Sequence, residues 1–330
     1  MLVIYIHSYN VNLKIGAGPE VGPSVSVVFL EHLISQGIAR IAVPFFFVVS
    51  GYLFFHNLEP NPAGFAKKLV RRSRTVLLPY LLWSGVGLVM LYAMQAIPRT
   101  NAFFANRPLR ECGALDVVRT LLINPVPYQL WFLRDLYVFA VVAPLVYCLI
   151  VYIGLPLLVI LGVLWISDIW PSARLDGLFF LLIGSWLALR QPTYRFSDIY
   201  VIIFSLCWLL IVTVNTSISV IWGIQCGALL KIAIPVGLMA FWLNTDALRR
   251  IVDACRVRAI VPYTFFLYAF HEPWLTASKK LWLKSLGQSS WSVLLAYLLC
   301  PIVVMAVGCL VAALLQAHAK RLYLVFTGGR

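Results

Sequence analysis

The sequence predicts an all-α, polytopic membrane protein of about ten transmembrane helices, forming a single membrane-embedded domain over residues 1–330. Three observations carry that prediction. Of the 330 residues, 62% are hydrophobic and 12% charged, too few charges to cover the surface of a soluble chain. Several apolar runs reach ~20 residues, the length that spans a ~30 Å hydrocarbon core. The Lys and Arg residues, which give a formal net charge of +14, lie in the short segments between those runs. They do not line one soluble face, which argues against a nucleic-acid partner. The 7 cysteines form no CxxC pair and fall mostly inside apolar runs, so they indicate neither a disulfide framework nor a metal site.

In chain order, Met1 to His7 is apolar but too short to cross a membrane. It reads as the outer half of a first helix truncated at its N-terminus, with no cationic segment of a signal peptide before it. Val11 to Pro23, rich in Gly and Pro, reads as a loop on the far side. Val25 to Ala42 carries Glu31, His32, Gln36 and Arg40 and continues into the apolar run Val43 to Phe55. One long helix is expected here, bent or broken near Pro44, with its first part standing proud of the membrane or lining a cavity.

A dense cationic loop follows, with Lys67, Lys68, Arg71, Arg72 and Arg74, and then a span over Thr75 to Ile97. Pro98 to Pro127 is a long polar connection in which Leu115 to Ile123 suits a short surface helix. Leu130 to Tyr152, Ile153 to Trp170 and Leu175 to Leu189 are the next spans, followed by Ile199 to Val214 and the interrupted run Ile218 to Leu243. Asn244 to Arg258 is a second cationic loop, and Val261 to Leu275 and Ser292 to Ala317 complete the set. With the cationic corner in the cytoplasm, the remaining Lys and Arg residues sort with an excess on the inner side.

The cationic corner has two readings. It fixes orientation, or it holds a polyanion. Arg71, Arg72 and Arg74 lead directly into the next apolar run, so the second reading places them on the first turn of a helix, where free amides also point at an anion. His7 is a polar group at membrane depth, a position that favours function. A neutral imidazole there can take the proton of an attacking hydroxyl. Trp131, Arg134 and Asp135 open a span; they are either an interfacial anchor or an outward-facing site for an anionic or hydroxyl-rich acceptor. His271, beside Glu272, is a second proton carrier or a helix-end pair.

Taken together, the ordered pieces resemble the acyltransferase-3 family of membrane O-acyltransferases. They are His7 after its apolar run, Pro44-Phe-Phe-Phe-Val-Val-Ser50-Gly51-Tyr52-Leu53, and Lys68-Leu-Val-Arg71-Arg72-Ser-Arg74 followed by Leu78-Pro79-Tyr80. Leu130-Trp131-Phe-Leu-Arg134-Asp135-Leu136 and Phe266-Leu-Tyr268-Ala-Phe-His271 complete the set. Each piece alone is weak, but in order they cover nearly the whole chain. They are most similar to the bacterial enzymes that acylate envelope polysaccharides.

The resemblance implies an acyl-CoA donor, probed first as acetyl-CoA, that is reached from the cytoplasm. It also implies the arginine pattern at the CoA phosphates and His7 as the catalytic histidine. Guanidinium forks suit those phosphates, and Lys68 adds to the same site. Ser50 and Gly51 suit either close backbone approach to the donor or helix packing. A carbohydrate or lipid-linked glycan would be the acceptor and the bacterial inner membrane the location. A pantetheine arm of roughly 15–20 Å cannot cross a ~30 Å core, so the arm must thread inward or the acyl group must ride on a residue. The rival readings are a transporter or flippase of a lipid-linked or small anionic solute, and a scaffold subunit of polysaccharide assembly.

Overall fold

Backbone polar groups within hydrocarbon must be satisfied inside the segment that carries them, which leaves helices as the simplest solution. In the computed structural model, which describes residues 2–9, 23–96, 109–167, 173–191, 197–254 and 257–329, all regular structure is helical. Nearly all of the expected far-side loop, and the first part of the long polar connection, lie outside the described residues. The helices are α1 Leu2–Ser8, α2 Val25–His32, α3 Ala42–Phe55, α4 Pro62–Arg72, α5 Leu78–Gln95, α6 Ala114–Leu122, α7 Trp131–Val141 and α8 Ala143–Tyr152. They continue with α9 Leu155–Ile166, α10 Ala173–Arg190, α11 Asp198–Ile221, α12 Gly227–Leu243, α13 Thr245–Ala254, α14 Thr264–Leu286, α15 Ser290–His318 and α16 Lys320–Thr327.

Four continuous helical stretches among the described residues are long and apolar enough to cross a membrane: Val25–Phe55, Pro62–Gln95, Asp198–Ile221 and Ser290–His318. The pair α7 and α8 qualifies as a fifth, bent by 67° at the break before Pro144. The protein is therefore an integral membrane protein. Length and composition do not establish the expected number of about ten crossings. Several apolar runs that look continuous in sequence become short helices, such as α9 and α12, or break in mid-run.

Two of those breaks have identifiable reasons. The long second helix loosens over Leu33–Gly37, a π stretch, and Ile38–Ile41, a 3-10 stretch, just ahead of Pro44. The Pro44 ring, in the first turn of α3, meets the carbonyl of Arg40, four positions earlier in the 3-10 stretch. The cationic segment is α4, a regular helix begun by Asn61, whose Oδ1 accepts from the Gly64 amide at 2.7 Å. It passes through a second π stretch, Ser73–Leu77, into α5. That extra residue per turn lies where the Pro79 ring meets the carbonyl of Thr75, four positions earlier. In the other direction, nothing from Asn215 to Ser219 breaks a helix, so α11 runs to Ile221, past the expected end at Val214.

The chain divides into two compact units. The first comprises Met1–Asn57, Leu145–Thr264 and Trp274–Val307. Its tightest contact joins α3 to α10: a Cβ on Gly51 would lie 2.2 Å from the carbonyl oxygen of Leu181, and one on Gly184 would lie 1.9 Å from that of Val48. Only glycine allows such a backbone-on-backbone crossing, the usual close packing of membrane helices. A second core of Ile4, Leu275, Leu283, Ala296, Cys300 and Val304 holds α1 against α14 and α15. The second unit comprises Leu58–Pro144, Phe265–Pro273 and Gly308–Arg330. Trp83 is its centre, edge-on to both Phe266 and Phe326 at 5.3 Å, with its indole N–H on the Phe326 carbonyl at 3.1 Å.

Candidate active site

A helix of seven residues cannot hold itself together in isolation, so the position of His7 on α1 depends on what grips that helix. The grip is made by side chains within the first unit. The Tyr297 hydroxyl donates to Ser35 Oγ at 2.8 Å, leaving the Ser35 proton for the carbonyl of Tyr5 at 2.5 Å. Ser8 Oγ donates to the Tyr297 carbonyl at 3.3 Å, and the Tyr5 hydroxyl to that of Leu298 at 3.4 Å. The ammonium of Lys279, 3% exposed, donates to the carbonyl of Ser8. A cation at the carbonyl end of a helix is favourable, and the buried Glu31 offsets the Lys279 charge. The result is a half-buried His7 on a helix end whose carbonyls and hydroxyls are tied down. Ser35, Lys279 and Tyr297 were not legible as site residues, although a lysine inside a helix that also carries an apolar face is a signal of this kind.

Ser50 and Gly51 lie on α3 in the same unit. Gly51 is buried against α10 and serves the packing role, while Ser50 is half-buried beside it.

In the second unit, Lys67, Arg71 and Arg74 recur at four- and three-residue spacing along α4 and the π stretch, which sets them on one face, and all three are exposed. Lys68 and Arg72, half-buried, flank them. The expectation of free helix-start amides beside these arginines is corrected here. The backbone runs helically from Pro62 to Gln95, so the amides of residues 71–74 are used within the helix. Any anion held here is held by side chains.

Arg134 and Asp135 are adjacent on α7. The Arg134 Nε and Nη2 both meet Asp135 Oδ1, at 2.8 and 2.7 Å, and its Nη1 donates to the carbonyl of Ile123. Tyr80 and Ser84 donate to the carbonyls of Leu122 and Leu121, each at 2.8 Å. Three side chains thus cap the last carbonyls of α6. All three guanidinium nitrogens of Arg134 make a contact, and together they join α6 to α7. Trp131 is half-buried at the start of α7, edge-on to Phe132.

His271, 1% exposed, is fixed on α14 by contacts from Nδ1 to the carbonyls of Tyr268 (2.7 Å) and Leu267 (3.2 Å). Two carbonyls require a donor, so in the neutral ring Nδ1 carries the proton and Nε2 the lone pair. Directly after it, Glu272 leaves helical geometry (φ −102°, ψ 136°) ahead of Pro273. Its side chain bonds the Tyr128 hydroxyl. Gln129, missed in the sequence, donates to the carbonyls of Ala269 (3.1 Å) and Glu272 (3.4 Å), and its own carbonyl accepts from the Tyr268 hydroxyl. The structure thus gathers Arg134, Asp135 and His271 into the unit that carries the α4 cations. His7, Ser50 and Gly51 belong to the other unit.

A family model described as an acyltransferase domain matches residues 1–313. Succinoglycan biosynthesis protein ExoH of Rhizobium meliloti (strain 1021) is 30% identical over 156 residues, covering 45% of this chain and 39% of that protein. The chain thus spans about two fifths of the length of the curated relative it matches. No solved structure matches.

Proposed function

The chain belongs to the acyltransferase-3 family, and from that membership we propose a membrane O-acyltransferase. It moves an acyl group, acetyl in the first instance, from cytoplasmic acyl-CoA to a hydroxyl of an envelope carbohydrate or lipid-linked glycan. The bacterial inner membrane is the proposed location, and about ten crossings remain the proposed topology. The relative's role in succinoglycan biosynthesis supports a carbohydrate acceptor. The observation that carries the donor is the exposed cationic face of Lys67, Arg71 and Arg74, flanked by Lys68 and Arg72, in a chain of an acyltransferase family. A 3′-phosphate and a pyrophosphate are the groups such a row would pair with.

In the proposed chemistry His7 takes the proton of the acceptor hydroxyl as its oxygen attacks the thioester carbonyl. The C–S bond then breaks, and the proton passes to the departing CoA thiolate. His271, whose lone pair is on Nε2, is the second proton carrier. The Arg134–Asp135 pair fixes the α7 end on which Trp131 is presented.

The test is the melting temperature of the detergent-purified protein with and without CoA. CoA is expected to raise it, and Arg71→Ala with Arg74→Ala to remove most of that rise, because each charge-assisted hydrogen bond is worth ~1.5–3 kcal/mol. No rise with either CoA or acetyl-CoA would overturn the donor assignment in favour of a transporter or flippase.

A further inference from the structure

The first unit holds an open cavity of about 290 Å³ whose lining includes Tyr9, His32, Gln36, Arg40, Asn215 and Ser219, completed by Gln225 to Gly227 and Leu230. It is at the small end of the ~300–1,000 Å³ range of ligand sites. Such sites are mostly apolar, whereas this lining is mainly polar.

Local structure explains how the walls meet. Gly37 ends the π stretch, and a Cβ there would lie 2.3 Å from Val212 Cγ1, so the loosened helix packs hard against α11. That approach sets His32, Gln36 and Arg40 opposite Asn215 and Ser219. His32 is fixed by Thr216 Oγ1 at 3.3 Å from its Nδ1 and by the edge-on ring of Tyr9. Tyr9 directly follows α1, two residues after His7.

Two lining groups have unused capacity. Asn215 is 5% exposed; its carboxamide makes no hydrogen bond among the described residues and borders the cavity, where a ligand or water can meet it. Arg40 gives Nε to Gln36 Oε1 at 2.8 Å, and Nη2 to the same oxygen. Its Nη1 makes no hydrogen bond among the described residues, and no carboxylate pairs with it directly. Asp176 acts on it only through space. A half-buried cation that no carboxylate among the described residues touches, beside an amide that can both donate and accept, complements a hydroxylated ligand with one negative group.

We propose that this cavity is the acceptor subsite, holding one sugar residue with an acidic substituent. The acid pairs with the open edge of Arg40, and the ring hydroxyls bond Asn215 and the Gln36 amide. The proposal rests on the reading of the chain as a glycan acyltransferase, and it names the part of the acceptor that is gripped beside α1.

The test compares methyl glucuronoside with methyl glucoside binding to the detergent-purified protein by saturation-transfer NMR titration. The glucuronoside is expected to bind about tenfold more tightly or better, as charge-assisted pairing implies. Arg40→Gln should bring the two sugars within about twofold of each other, and Asn215→Leu should weaken both about tenfold. Equal affinity of the two sugars for the unmodified protein, or binding of neither, would overturn the proposal, as would a preference that survives Arg40→Gln. The melting transition of the same samples shows that each variant is folded, and its shift with CoA tests the donor. A CoA shift without sugar binding sinks the cavity alone. Sugar preference without a CoA shift supports the cavity and sinks the acyl-CoA reading.

Discussion

Arg134 and Arg40 are both half-buried guanidiniums on helices of a membrane protein, and they are used in opposite ways. Arg134 has a carboxylate beside it, the last carbonyl of a neighbouring helix in front of it, and all three nitrogens engaged. Arg40 has one neutral hydrogen-bond partner, Gln36, and an Nη1 that makes no hydrogen bond among the described residues. Charge at membrane depth marks both as candidates. Unspent hydrogen-bonding capacity separates the residue that builds the fold from the one that can take a ligand.

The contrast is open to attack at several points. The largest effect is expected from Asp135→Ala, which strips the counter-ion from a half-buried guanidinium and should cost about 2–4 kcal/mol, read as a large drop in the melting temperature of the purified protein. A drop no greater than that of a surface substitution would mean that Arg134 is not structural after all. Ser35→Ala is intermediate. It leaves the carbonyl of Tyr5 without its donor and the Tyr297 hydroxyl without its acceptor, and should cost about 1–3 kcal/mol. Acyl transfer is expected to fall with it, because the helix end that carries His7 loses its tie. Arg40→Gln is the smallest. With no ion pair to break, its melting temperature should stay within the change of about 1 kcal/mol typical of a mild substitution, and a loss comparable to that of Asp135→Ala would erase the distinction between the two arginines.

Much of the architecture was legible from apolar run length. The helical class, the surface helix α6, and the apolar stretches of α3, α5 and α15 fall close to where the sequence puts them. What was not legible depends on long-range partners. Pro44 signals a break in the second helix, but nothing local shows the π turn at Leu33–Gly37 or the close approach of Gly37 to Val212 of another helix. The helicity of α4 was missed because its cations looked like a loop, although Asn61 followed by Pro62 is a helix start that could have been read. Of the candidate site, His7 was singled out as a polar residue at membrane depth, His271 as an imidazole beside a carboxylate and the α4 cations by their clustering between apolar runs. Arg40 and Asn215 were passed over because they belong to no motif, and only the folded neighbourhood shows what they lack.

The grip on α1 also sets an order of events during synthesis. Its partners Lys279, Tyr297 and Leu298 are 271, 289 and 293 residues away in the sequence. The segment bearing His7 therefore leaves the ribosome long before most of the residues that hold it exist. Until α14 and α15 are made and inserted, Ser35 is the part of the grip already present, and the rest waits for the last part of synthesis.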